Sequence, residues 1–471
     1  MPAGAGGGKT RMQTQATVGA DASELRRVLA ARHVAMISIG GIIGAGLFVG
    51  SSVTIAAAGP AIVLSYLIAG TMVLLVMRML GEMAVALPQV RSFSDFARTG
   101  LGDWAGFVVG WLYWYFWIVV VPVEAIAGAQ LLQLWIALPA WLLGVGLMAI
   151  MTGVNLLSAR SYGEFEFWFS LIKVSAIVAF LLTAAAWVFG LTSAGAPTWS
   201  NLVSGGGFAP RGVLAVLAGV TSVFFAIVGA EITVVAAAES REPVRAVARM
   251  STTVMTRILI FYVGSIFLIV TVVPWQQIVP GKSPFTAAMN VMHFRWAGTA
   301  MTLIILTAVL SCLNSAFYVT SRVLFALAAR GDAPASLVKL NRRGVPVRSV
   351  LMGSAAGLAG IAAATASPQG VFAFLVNASG ALMVFIYILI AVAQIRLRRT
   401  RSEAEQRALP VQMWWYPAAS YLAVAGMIVV LLAMAGTPGM ATQFYVSTAT
   451  LLLTLAAFLL HDRRRAGAKA R

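Results

Sequence analysis

Charge is what this chain lacks most. Asp, Glu, Lys and Arg make up 10% of its 471 residues against 60% hydrophobic ones, and the mean hydropathy is +0.90. Soluble domains carry about a quarter charged residues. A soluble fold is therefore excluded, and an all-α polytopic membrane protein is expected. Cysteine is nearly absent. Cys312 stands alone in an apolar run, so no intramolecular disulfide can form and the thiol reads as a packed core group. Histidine is scarce as well: His33, His293 and His461 lie far apart at span ends, which leaves no metal site and no histidine relay. With no Cys/His cluster and no nucleophile elbow, neither enzyme chemistry nor a bound cofactor is expected.

Acidic residues number 15 against 33 basic ones, a net charge of +18. That excess does not mark a nucleic-acid binder. No basic patch interleaved with aromatics stands outside the apolar runs, and the basic residues concentrate in the tails and in alternate loops, which is the positive-inside pattern. The expected macromolecular partner is the lipid bilayer. Residues 1–31 are Gly-rich and then basic, and read as a flexible cytoplasmic tail ending in a short helix. Ala3 to Thr10 matches a loose phosphate-binding loop, but that loop works only between a strand and a helix, and no strand precedes it. No cleavable signal peptide is evident, because the N-terminus is polar and the first apolar run is too long.

What is present is a series of long apolar runs from Val34 to Leu460, divisible into twelve spans: 34–58, 61–86, 104–134, 138–157, 163–190, 212–238, 252–275, 297–328, 347–366, 370–395, 413–436 and 440–460. An even number puts both termini on one side. Placing that side in the cytoplasm leaves only Arg211, Lys282 and Arg295 in outside loops, while Arg241, Arg330, Arg396 and most other basic residues stay inside.

The first span carries Gly40, Gly41, Gly44 and Gly46 in its middle. Glycine weakens a helix interior. It serves either close helix packing or a break whose half-helix ends bind ligand. A second stretch echoes the first: Ile42-Ile43-Gly44-Ala45-Gly46-Leu47 resembles Ile227-Val228-Gly229-Ala230-Glu231-Ile232 in span 6. Five spans separate them, as in an inverted repeat.

Most acids lie in loops or at span ends, Glu82 among them; two do not, Glu124 in span 3 and Glu231 in span 6. Each costs roughly 2.5–3.5 kcal/mol to insert. Such a carboxylate pairs with a buried donor or faces a cavity. Lys173 is the only lysine in the middle of a span, and with Glu164 and Glu166 at the span's cytoplasmic start it lies roughly 11–15 Å deep. It is a candidate proton carrier unless it snorkels to the interface. Ser311, Asn314 and Ser315 form a polar cluster in span 8, suited to gluing helices or to completing a cavity opposite Lys173. Phe224 and Phe225 precede the span 6 break, as packing residues or as an aromatic that closes over a ligand.

Further motifs are dense. They include Arg32-His33, Met77-Arg78-Met79-Leu80-Gly81-Glu82-Met83-Ala84, Gly110-Trp111-Leu112-Tyr113-Trp114, Pro122-Val123-Glu124, Tyr162-Gly163-Glu164-Phe165-Glu166-Phe167-Trp168, Ala236-Ala237-Ala238-Glu239-Ser240, Ser311-Cys312-Leu313-Asn314-Ser315 and Arg330-Gly331-Asp332-Ala333-Pro334. From Arg32 to the last span the chain resembles the bacterial amino acid transporter family of the amino acid–polyamine–organocation superfamily. The resemblance implies two inverted five-helix repeats, 32–190 and 212–400, then two further helices over 401–462 and a basic tail, 463–471. It implies proton-coupled import of an amino acid across the bacterial inner membrane, with 4-aminobutyrate favoured by the span 5 and span 8 blocks. Import of another neutral or basic amino acid, exchange or sensing on the same scaffold, and a channel are the alternatives. By the same resemblance the substrate carboxylate meets amides at Gly44, Ala45 and Gly46. Its amine meets carbonyls at Ala226, Ile227 and Gly229 and the Glu124 carboxylate, with Phe225 as the gate. Glu231 and Lys173 carry the proton coupling. The sequence does not fix an oligomeric state.

Overall fold

The computed structural model describes residues 43–90, 92–157, 162–192, 198–229, 231, 244–245, 247, 256–293, 296–341 and 344–469. The N-terminal tail, Gly40, Gly41, Ile42, Ala230 and Ile232 lie outside them. The described residues are helical with no strand, as apolar solvent demands, since a helix satisfies its own backbone polar groups.

The first element is a π-helical turn, Gly46–Gly50, that runs into α1 (Ser51–Ala58). A turn at Gly59 (φ +69) and Pro60 leads to α2 (Ile62–Ala86). Then come α3 (Phe93–Leu101), α4 (Asp103–Leu132), α5 (Ala140–Leu157) and α6 (Tyr162–Val188). The second half opens with α7 (Gly212–Ile227), followed by a π-helical stretch, Ile258–Gly264, that continues as α8 (Ser265–Val272). After α9 (Pro284–Val291) come α10 (Ala297–Ala329), α11 (Val347–Ala364) and α12 (Pro368–Arg399). The chain ends with α13 (Glu403–Arg407), α14 (Ala418–Gly436) and α15 (Ala441–Lys469).

Each of the twelve expected spans holds a helical segment, but eight helical stretches meet the length and hydropathy of a membrane crossing. The difference has two causes. The first two spans run together as Gly46–Ala86 across the Gly59–Pro60 turn. Three further apolar helices, Ala140–Leu156, Gly212–Ile227 and Ile258–Val272, are short. In α7 the shortness comes from a backbone break after Ile227.

Three helices that a hydropathy reading passes over lie between spans. The amphipathic α3 is capped by Ser92, whose hydroxyl accepts from the Asp95 amide, and α9 is capped by Ser283. α13 carries a Ser402–Glu405 capping box. α15 runs past the last expected span as helix to Lys469, into the basic stretch at 463–471.

α4 is the hub. It packs against α3, α5, α10, α11 and α12 and is buried along most of its length, whereas α15 is mostly exposed. Small residues allow the close approach. A methyl group at Gly357 of α11 would come within 2.9 Å of Val121, and one at Gly360 would run into Pro122.

Candidate functional site

The described part of the first span's glycine stretch, from Ile43 on, lies within this core. Residues Ile43 to Gly50 are all buried. The helix begins at Ala45 and Gly46 with no side chain capping it. The first N–H groups of a helix have no intrahelical partner and carry a positive partial charge. Directly opposite, α7 ends at Ile227. Val228 turns out of the helix (ψ 146) and Gly229 takes φ +109, a conformation that requires glycine. The last carbonyls of α7 carry the matching negative partial charge. The two breaks touch: a methyl group at Gly46 would lie 2.7 Å from Ala226 Cα and 3.3 Å from Phe225 Cε1. Phe225 is buried with its ring 6.0 Å from that of Phe116. Gly44, Ala45, Gly46, Phe225, Ala226, Ile227 and Gly229 are thus brought together, with the positive end of one half-helix facing the negative end of another.

Glu124 of α4 reaches the same place. It is buried, it faces the Ala45 backbone N–H and the Cys312 thiol, and its Oε1 would lie 3.3 Å from a methyl group on Gly44. Cys312 fills the space where Gly44 has no side chain. The second oxygen of Glu124, Oε2, is buried without a hydrogen-bond partner. An orphaned carboxylate oxygen at membrane depth is costly and points to a missing donor.

Glu231 is placed differently. Its Oε1 accepts from the Tyr113 hydroxyl of α4 at 3.2 Å. Its Oε2 accepts from the Tyr387 hydroxyl of α12 at 3.0 Å and from the Gly229 amide at 3.0 Å. The carboxylate therefore ties the span 6 break to two scaffold helices. The sequence marks neither as a partner of Glu231: Tyr113 stands within the Gly110–Trp114 block and Tyr387 in no motif.

Lys173 is fully buried and does not snorkel. Its Nζ donates to Ser311 Oγ at 2.9 Å and lies 3.4 Å from Glu166 Oε1. Ser311 Oγ in turn donates to Glu166 Oε2 at 2.6 Å. Glu166, expected to mark the cytoplasmic start of its span, is 2% exposed and is the ion-pair partner of Lys173. The signal was in the sequence: Glu166, Ser170 and Lys173 follow each other at spacings of four and three, one face of a helix.

The span 8 cluster divides. Ser311 joins Lys173, whereas Asn314 accepts from Asn155 Nδ2 of α5 at 2.9 Å. Ser315 is buried one turn beyond Ser311. Glu82, read as a span-end residue, is likewise buried. It accepts from Gln394 at 2.8 Å, from Arg398 at 2.7 Å and from the Met413 amide at 2.6 Å. Among the described residues no cluster of His, Cys, Asp and Glu is arranged to hold a metal ion.

Two helix ends of opposite partial charge thus meet beside buried charged groups. A mutant of the manganese transporter of Eremococcus coleocola shares the fold, with a TM-score of 0.57 at 15% identity over 94% of this chain and 96% of that one. The chain belongs to the amino acid permease family, whose profile matches residues 33–467. It is 42% identical to the gamma-aminobutyric acid permease of Bacillus subtilis, over 95% of this chain and 96% of that protein. It is 43% identical to a probable GABA permease of Pseudomonas aeruginosa, over 92% of each. The aromatic amino acid transport protein AroP of Corynebacterium glutamicum is 37% identical over 86% of this chain and 89% of its own length. The chain is therefore a multi-pass membrane permease, not an enzyme.

Proposed function

We propose that this permease imports 4-aminobutyrate together with protons across the bacterial inner membrane by alternating access. The observation that carries the reading is the apposition of Gly46 and Ala226, which sets opposite helix ends against each other. A zwitterion carries one charge of each sign, and both must leave water. Amides at Gly44, Ala45 and Gly46 suit the carboxylate. Carbonyls at Ala226, Ile227 and Gly229 suit the amine, which also supplies the donor that Glu124 Oε2 lacks. Phe225, against Gly46, closes over the ligand.

Identity above 40% to two proteins named for GABA, against 37% to an aromatic carrier, supports 4-aminobutyrate over an aromatic substrate. Twelve crossings with both termini in the cytoplasm follow from the sorting of basic residues, with inverted repeats over 32–190 and 212–400 and two added helices over 401–462. Lys173 and Glu231 are the coupling residues of this reading, with Ser311 beside Lys173. A proton entering with substrate adds about 2.3 kcal/mol per 100 mV of membrane potential.

Counterflow in proteoliposomes tests the substrate. Vesicles preloaded with unlabelled 4-aminobutyrate should transiently concentrate labelled 4-aminobutyrate, and external 4-aminobutyrate should compete better than phenylalanine or lysine. Competition led by phenylalanine or lysine would reassign the substrate, and flux that never saturates would reject a carrier.

A further inference from the structure

The buried triad of Glu166, Lys173 and Ser311 forms a directed hydrogen-bond chain. Lys173 Nζ donates to Ser311 Oγ at 2.9 Å, and Ser311 Oγ donates to Glu166 Oε2 at 2.6 Å. The remaining Glu166 oxygen, Oε1, receives Ser170 Oγ at 3.4 Å and faces Lys173 Nζ at the same distance. All four side chains are buried. A carboxylate and an ammonium joined through a hydroxyl is more than an ion pair needs: the hydroxyl both accepts from the cation and donates to the anion, so a proton can pass along it.

We propose that Ser311 and Glu166 form a proton relay that takes the proton from Lys173 toward the cytoplasmic end of α6. This rests on the proton-coupled reading above and extends it to two residues with assigned steps. An N–H bond of the Lys173 ammonium breaks as that proton passes to Ser311 Oγ. The Ser311 O–H bond breaks as its own proton passes to Glu166 Oε2. The products are a neutral amine and a carboxylic acid, the serine is unchanged, and no electrons move between groups. Inside a low-dielectric core the charged pair bears the desolvation cost of two ions, so the neutral pair is within reach of it. Direction follows from position. Glu166 is anchored one turn from the start of α6, its backbone about 10 Å nearer that end than that of Lys173 at 1.5 Å per residue, while its carboxylate reaches back to 3.4 Å from Lys173 Nζ. The other titratable groups beside the chain are Glu124 of α4 and the Cys312 thiol of α10, with Tyr262 of the π-helical stretch before α8 beyond Cys312. Glu124 faces the half-helix break, so the carboxylate bonded to Ser311 is the one that leads away from the substrate site.

The test separates coupling from transport in proteoliposomes. Counterflow of 4-aminobutyrate needs no net proton movement, whereas accumulation on an inward acid gradient does. Glu166→Gln keeps size and burial but cannot take up the proton. We expect its gradient-driven accumulation to fall about 100-fold or more, the effect of removing a positioned proton-transfer group, while counterflow persists. Ser311→Ala, which leaves both charges in place, should show the same split, and Ser311→Thr, which restores a hydroxyl, should recover coupling. This variant pair carries the test if Glu166→Gln does not fold. Full gradient-driven accumulation in either Glu166→Gln or Ser311→Ala overturns the relay. So does parallel loss of counterflow and accumulation in a folded variant, which marks a structural role. Absence of 4-aminobutyrate counterflow in the unmutated protein strikes the substrate assignment instead.

Discussion

Gly46 has no room for a side chain. Its neighbour across the break is backbone, Ala226 Cα at 2.7 Å from the position of an added methyl group, and backbone cannot rotate away as a side chain can. We expect Gly46→Val to weaken 4-aminobutyrate binding by about tenfold to a hundredfold, the size of a 1–3 kcal/mol overpacking penalty. Binding of labelled substrate to the purified variant measures it, and an unchanged affinity would return Gly46 to a packing role. Residues of this kind were legible in the sequence, because four glycines amid a membrane span ask for a reason. Glu166 was legible in principle, since its spacing from Lys173 repeats one helix face. Tyr113 and Tyr387 were not. A tyrosine that donates to a buried carboxylate reads the same in sequence as one at a membrane interface, and only the fold brings α4 and α12 to Glu231.

Helices as elements follow from the apolar runs, and each expected span holds a described helical segment. Pairings between them are another matter. Glu82 of α2 and Arg398 of α12 stand 316 positions apart, and nothing in either run names the other as partner. The pair is nevertheless built with care. Glu82 has three donors, and the Arg398 guanidinium lies 4.1 Å from the centre of the Tyr416 ring. Removing one member of a buried pair leaves the other uncompensated, at a cost of about 3–5 kcal/mol. Glu82→Ala should therefore lower the thermal midpoint in detergent by several degrees. Restoring an apolar match with Glu82→Met plus Arg398→Met should recover much of the loss. A midpoint that does not move in Glu82→Ala would show the pair to be solvated. The elements that sequence missed, α3, α9 and α13, are short and amphipathic or polar, so their helicity comes from the Ser92, Ser283 and Ser402 caps and not from an apolar run.

At the scale of the whole molecule, the distribution of charge argues for the proposed orientation and the scarcity of cysteine supplies a way to test it. Cys312, the single cysteine, is buried against Gly44 and Glu124, so an impermeant thiol reagent finds little to react with in the unmutated protein. Lys282 is exposed in the segment before α9, and Arg407 is exposed at the end of α13. With twelve crossings and cytoplasmic termini, the first lies outside and the second inside. We expect Lys282→Cys to react with an impermeant maleimide in intact spheroplasts, and Arg407→Cys to react only after the membrane is permeabilised. The odd number of crossings between the two sites makes the contrast sharp. If the eight long helical stretches were the only crossings, α10, α11 and α12 would still separate the two positions, so this pair fixes orientation alone. Adding Ser204→Cys, in the exposed segment before α7, tests the count. Between Ser204 and Lys282 lie α7 and α8, both short. If both cross, Arg245→Cys between them is shielded while its two neighbours react. Labelling of all three from outside would mean that neither short helix spans the bilayer, and would leave the span 6 break without the membrane depth that its role as a binding site requires.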